Sequence, residues 1–420
     1  MAAVVVSGSV VTDAAGVRPT LGDKGLLEGA APTSPGGERP QPEARPLTPE
    51  ALLTADLVGT ALTGTWTQGK TSRNTEGDGL VFTCQGGRFA DPAGLAALVR
   101  TFKATAAGGA TAGQAVEVSE DEETGSTAYR TTVGWYAGCT SPRVQLLSTH
   151  RVKGVGDEAM LFVLRDWSEP TTAQVVGVAR TGRVTTTTSV TRTGPRDPGT
   201  EPTAALLASA VDGLCGLPGG GTCAQSPQVK AVPPLPAGTS PALLGEVDLP
   251  PVSKVSRPWV GTPPEAATTN LAATRCDESD FAGQGFSRGE TRSFLVPDAG
   301  LPPEFGLTQT VGALPRRQAE QFVADVRRKL TTCPDRDLAT QVDKVEDMSE
   351  GARQLTVWRL TVEVSDERSV TYLMGIVRNG TAVAQLTFVP ANGVVMGSEP
   401  FVALAMRAQD RLARLGRPQG

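Results

Sequence analysis

The sequence predicts an α+β fold in duplicate: two tandem homologous domains, each an antiparallel sheet packed against helices. Three observations predict it. Motifs of the first half recur in order in the second. Each half has a helix-like stretch, then a run of β-rich segments, then a closing helix. The cysteines fall at matched positions in the two halves.

The repeat is read residue by residue. Thr48-Pro49 before Leu52-Leu53 returns as Ser240-Pro241 before Leu243-Leu244. Asp56-Leu57 returns as Asp248-Leu249, Trp66 as Trp259, Cys84 as Cys276 and Phe89 as Phe281. Arg100-Thr101-Phe102 returns as Arg292-Ser293-Phe294, and Cys139 as Cys333. Gly177, Arg180 and Gly182 return as Gly375, Arg378 and Gly380. The offset stays at 191–193 through Arg100, then rises to 194 at Cys139 and 198 at Gly177, as small loop insertions in a duplicated module would produce. A period near 200 residues marks a tandem domain and not a solenoid. Four segments follow: an apolar leader and Pro/Gly-rich linker (1–45), repeat 1 (46–217), a second linker (218–239) stiffened by Pro233, Pro234 and Pro236, and repeat 2 (240–416).

Within each repeat the elements are justified in turn. Thr48 or Ser240 caps a first helix, with proline in the first helical position, where its missing N–H costs nothing. Strands are expected at Leu80–Thr83, Leu98–Lys103 and Val116–Val118. A helix follows. In repeat 2, Phe322, Val323, Val326 and Leu330 share one face at helical spacing, and in repeat 1 Ser119 and Glu122 have the spacing of a capping box. A four-strand meander comes next: 144–152, 160–167, 174–180 and 184–191, then 338–345, 354–364, 370–378 and 381–389. Asn379-Gly380 reads as a hairpin turn with positive φ at both central residues, and Thr181-Gly182 as its weaker counterpart. Closing helices carry Leu206, Leu207, Val211 and Leu214, and Phe401, Leu404, Ala405 and Leu412. The economical architecture places helices on one face of each sheet.

Composition limits the function. The 420 residues carry a net charge of −5 with no basic block, which argues against nucleic acid as a partner. Aromatics are only 5%, so the cores rest on Val, Leu and Ala. No apolar run reaches the length of a membrane-spanning helix. The one histidine, His150, sits in a strand-like run with no acid placed beside it and reads as structural. With no Gly-x-Ser-x-Gly elbow, no catalytic residue, metal site or cofactor is expected. The acids Glu117, Glu120, Asp121, Glu122 and Glu123 lack calcium-loop spacing and read as a complement to a helix dipole. Trp66 and Trp259 are expected in the cores, the alternative being an aromatic wall of a ligand groove. Thr185–Thr188 reads as a strand with a solvated face, or as an edge open to a partner.

Six cysteines allow 15 pairings, and the repeat selects one. Cys84/Cys139 and Cys276/Cys333 are equivalent pairs, 55 and 57 residues apart, which leaves Cys215 with Cys223. Bridges imply an oxidising compartment, extracellular or in the cell envelope. The start, Met1-Ala2-Ala3-Val4-Val5-Val6, is apolar, but its first basic residue is Arg18. It reads as the end of an export signal or anchor whose basic beginning is missing.

The repeat unit runs Leu-Leu-x-x-x-Asp-Leu, Trp, first Cys, an Arg-[Thr/Ser]-Phe strand, and a helix ending Gly134-Trp135-Tyr136-Ala137-Gly138-Cys139. In this order it resembles the PknH-like extracellular sensor domain of actinobacteria. Repeat 2 departs from the pattern at Arg327-Arg328-Lys329-Leu330-Thr331-Thr332-Cys333, where the aromatic ending should stand. The resemblance implies an α+β fold, disulfides, a ligand-binding groove and no catalysis. The partners expected are a small molecule, lipid or glycan ligand and an envelope protein. A structural envelope protein, or a hydrolase of envelope glycans or lipids, is the competing reading.

Overall fold

The computed structural model describes residues 47–106, 109–236, 240–365, 368–391 and 393–415. The leader expected over 1–45 lies outside the described residues. Both repeats fall within one compact unit, Ala44–Gly420.

Repeat 1 contains α1 (Ala55–Leu62), β1 (Trp66–Ser72), β2 (Ala96–Ala104), β3 (Thr111–Val118), α2 (Glu122–Ala137), β4 (Val144–Lys153), β5 (Glu158–Asp166), β6 (Thr172–Thr181), β7 (Val184–Thr193), α3 (Thr200–Leu214) and β8 (Gln228–Val232). Repeat 2 contains β9 (Val260–Gly261), β10 (Glu265–Ala266), β11 (Ser287–Leu295), β12 (Gly306–Ala313), α4 (Arg316–Thr331), α5 (Cys333–Arg336), β13 (Thr340–Glu350), β14 (Arg353–Ser365), β15 (Arg368–Asn379), β16 (Ala382–Val389) and α6 (Ser398–Arg411). The first sheet has the order β1-β2-β3-β7-β6-β5-β4-β8 and the second β10-β11-β12-β16-β15-β14-β13, with β9 also on β11. All pairs are antiparallel, so the fold is α+β in two domains.

Helices cover both faces of each sheet, not one. Strand alternation shows this directly. On β5, Ala159, Leu161 and Val163 meet Ala204, Leu207 and Val211 of α3. Its other face, Met160, Phe162 and Leu164, meets Tyr129 and Tyr136 of α2. In repeat 2, Leu355 and Val357 meet α6, and Trp358 and Leu360 meet α4. Central strands buried on both sides explain the unbroken apolar runs such as Met160–Leu164.

Several local expectations are corrected. Thr48 makes no side-chain cap, and Pro49–Ala51 form a 3-10 turn. The first α-helix starts later, where Thr54 accepts from the Leu57 amide (3.3 Å). Repeat 2 has no helix here; Glu246–Asp248 form one 3-10 turn, and Pro250-Pro251 cannot continue it. Leu80–Thr83 is loop, not strand. The α2 cap is Asp121, which accepts from Thr124 N (2.8 Å); Ser119 is buried with an unpartnered hydroxyl. Thr185–Thr188 lie on central strand β7 and are all buried, with neither a solvated face nor a free edge. Asn379 pairs with Ala382 and Thr181 with Val184, so the two-residue turns are Gly380-Thr381 and Gly182-Arg183. Only their glycines have positive φ, which is the Gly-first turn and not the Asn-Gly one. The expected linker 218–239 holds β8, which pairs with β4.

Repeated residues serve repeated devices. Gln114 accepts from Leu53 N (2.7 Å) while Arg100 donates to Leu53 O (2.9 Å). Gln309 and Arg292 grip Leu244 in the same way, at 2.8 and 3.0 Å. Arg180 donates to Gly182 O (2.8 Å) and Arg378 to Gly380 O (2.9 Å), each bracing its hairpin.

The repeats meet at a seam of hydrogen bonds to backbone carbonyls, backed on the repeat 2 side by a buried ion pair. Asp248 accepts from Arg411 Nε (2.6 Å) and from its second terminal nitrogen (3.0 Å), and both side chains are wholly buried. Arg407 of α6 donates to the carbonyls of Leu146 and Leu147 on β4. Gln145 donates to Asp248 O (3.1 Å), and Arg143 to Val255 O (2.7 Å).

Candidate functional site

On the α2 side of the first sheet, α2 lies over β6 and β7 and leaves the floor of β1, β2 and β3 to a loop, residues 73–95. Between this loop and the sheet is a cleft of about 390 Å3. Its floor presents Thr67, Thr101, Thr111, Ser189 and Thr191, with Gly69, Gly113 and Gln174. Phe82 and Thr83 of the loop form the wall. The lining holds one cation, Lys103, and no carboxylate. Gln174 donates to Ser189 Oγ (2.6 Å), which fixes both at the base.

The wall is held in place by covalent and hydrogen bonds. Cys84 is bonded to Cys139 at the end of α2. Gln85 Oε1 accepts the amides of Val81 (2.9 Å) and Phe82 (3.2 Å), and its NH2 donates to Gly87 O (2.8 Å). Arg88 donates to Asn74 O (2.6 Å). Glu117, expected to complement a helix dipole, instead accepts the amides of Ala90 and Asp91 (2.9 and 3.0 Å). Burial pushes its pKa up while those amides pull it down. The half-buried Trp135 packs closely against Gly86, where a Cβ would come within 2.5 Å of the indole. Gly113 is required below: a Cβ there would stand 2.7 Å from Phe82 Cε1.

Repeat 2 lacks this opening. The shared glutamines set the register: Gln114 faces Thr188 and Gln309 faces Leu386, so Ser189 corresponds to Thr387. Thr387 donates to Ala272 O (2.6 Å), and Gln385 donates to Ala272 O (2.9 Å) and Asp277 Oδ2 (3.0 Å). Asp277 is wholly buried and also accepts from Thr274 N (2.8 Å) and Ser279 N (3.2 Å). Phe281 and Phe286 stack at 4.1 Å beside Phe322. The chain's own segment 270–286 thus occupies the place that is open in repeat 1.

The other sequence candidates lie elsewhere. His150 is on β4, outside the groove lining, with Nε2 2.9 Å from Ser148 Oγ. Burial pushes its pKa down, against the pull of Glu201 and Asp197. Trp66 and Trp259 are core residues; Trp259 stacks on Phe305 (5.7 Å) and donates to Pro250 O (2.8 Å). Cys276 is bonded to Cys333 and Cys215 to Cys223. Three bridges favour an oxidising, extracellular or envelope location. No helix of the described residues is long and apolar enough to cross a membrane. Sequence reasoning missed the groove residues because a floor of Thr, Ser and Gly reads as ordinary strand. The signal available was the departure between repeats, Gly113 against Thr308, which the shared glutamines place at one position.

No family model matches the chain. No curated protein matches it. Among solved structures it is similar to acyl-CoA thioesterase II TesB2 from Mycobacterium marinum at 11% identity, over 66% of this chain and 93% of that one, with a TM-score of 0.11. A likeness of that size carries no argument.

Proposed function

We propose that this is an exported, non-enzymatic ligand-binding protein of the cell envelope, of the PknH-like sensor kind, whose first repeat receives the ligand. The groove carries the reading: open in repeat 1, filled by the chain itself in repeat 2. Its volume falls in the range of small-molecule clefts, about 300–1,000 Å3. A hydroxyl-dense floor, the Phe82 ring and Lys103 without a carboxylate suit a neutral or anionic glycan fragment. Hydroxyls pair with hydroxyls, and the ring takes the apolar face of a sugar. The bonded wall supports tight binding because little loop entropy is lost when the ligand enters.

The test is an NMR titration of the disulfide-intact chain with neutral and anionic oligosaccharides from bacterial envelopes. The expected result is saturable shift change confined to Phe82, Lys103, Thr111–Gly113 and Ser189–Thr191. Shifts centred on repeat 2, or no shift with any sugar at millimolar concentration, would overturn the assignment.

A further inference from the structure

The two repeats treat the same sheet edge differently. In repeat 1 the outer edge of β4 is covered over most of its length. Its second half, Thr149–Lys153, pairs with β8, and its bulge carbonyls at Leu146 and Leu147 receive Arg407 of repeat 2. The equivalent strand of repeat 2 is β13. It is the last strand of its sheet, and among the described residues its 11 residues have no partner on the outer side. An unpaired edge presents a row of free N–H and C=O groups, which is a template for another strand.

The edge is acidic. Asp343, Glu346, Asp347 and Glu350 lie along it, with Lys344. Lys344 and Arg327 both pair with Asp347, at 2.9 and 3.2 Å. Asp343, Glu346 and Glu350 have no ion pair among the described residues, and Glu346 turns back to accept the Asp347 amide (3.0 Å). Two copies of this edge would set like charges against each other, which disfavours self-pairing. A Lys- or Arg-bearing strand would meet the free carboxylates and free the Asp347 amide for the ladder.

We propose that the outer edge of β13 is a docking edge that takes an extended basic segment of another protein as an added antiparallel strand. The proposal is independent of the groove and survives if the groove is empty. The probe is a short peptide alternating Lys and Val, titrated at physiological salt into the full chain and followed by anisotropy and amide shifts. Binding is expected, with shifts along 343–350, and a Glu/Val peptide should not bind. N-methylating alternate amides keeps the charge but removes main-chain donors, and should weaken binding at least about tenfold. The variant Glu346→Lys/Glu350→Lys, checked for folding by circular dichroism, should lose the Lys/Val peptide. Equal binding of the methylated peptide, shifts located elsewhere, or no binding at millimolar peptide would each overturn the proposal.

Discussion

Replacing Asp248 by alanine tests the buried ion pair of repeat 2 that backs the seam between the repeats. The carboxylate is wholly buried and holds Arg411, also wholly buried, at 2.6 and 3.0 Å; Arg407 Nε lies 3.8 Å from it. It also accepts the Gly245 amide (2.7 Å). Removing it leaves two guanidiniums enclosed with reduced compensation. Breaking a buried pair costs about 3–5 kcal/mol, and the lost amide bond puts this site near the upper end. Against a total stability of about 5–15 kcal/mol that is a large fraction. Urea unfolding would measure it, with the indole of Trp259 as a local reporter beside the seam. The double change Asp248→Leu/Arg411→Met removes both charges and should recover much of the loss, because apolar replacement of a buried pair is often close to neutral. The exposed pair Arg328–Asp325 is the control, and its loss should cost under about 1 kcal/mol. A cost below about 1 kcal/mol for Asp248→Ala would refute the reasoning, as would a double variant no more stable than the single one.

Four further outcomes are expected. In the chain-entropy estimate, removing Cys84–Cys139 costs about 4 kcal/mol and removing Cys215–Cys223 about 2.5, from loops of 55 and 8 residues; urea midpoints check the ranking, and limited proteolysis should cut within 75–90 first in the former. Gly113→Val should displace Phe82 at a cost of about 1–3 kcal/mol and close the groove, visible as loss of oligosaccharide-induced shifts. Thr188 Oγ1 is buried without a partner, so Thr188→Val should be neutral or stabilising by up to about 1 kcal/mol in the same assay. His150 has its pKa lowered by burial in the folded chain. The unfolded state therefore binds the proton first, and stability falls as pH drops below about 6.5. His150→Gln should remove that component of the pH dependence, seen in denaturation curves from pH 7 to 5.

The duplication was legible because it rests on residues with fixed geometric duties. Arg100 and Arg292 recur because each holds the backbone carbonyl of the matching Leu53 or Leu244, and Arg180 and Arg378 because each holds the carbonyl of its hairpin glycine. The eight meander strands were legible from their β-rich runs. What stayed hidden was set by tertiary pairing. Thr185–Thr188 looked half-solvated because threonine is polar, yet β7 lies between β3 and β6 under α2, where Thr185 donates to Gly125 O (3.3 Å). Strand β8 is five residues of mixed burial with no alternation to mark it. The capping residues slipped by a few positions, as expected when several Ser, Thr and Asp stand together before a helix. The groove was hard to see because its open floor and its closed counterpart use similar small and polar strand residues; apart from Gly113 against Thr308, the difference lies in the covering segments.

Strand β8 changes what a single module is. By pairing it completes the first sheet, yet along the chain it lies beyond the second bridged pair of that repeat, Cys215–Cys223. A fragment stopped at residue 217 would shed its last strand and bare the β4 backbone that Arg407 also reaches. The halves are therefore not beads that recombination can trade freely. Any ancestor that carried one copy alone needed its own means of finishing that margin, and gene dissection of the present chain should cut no earlier than residue 232.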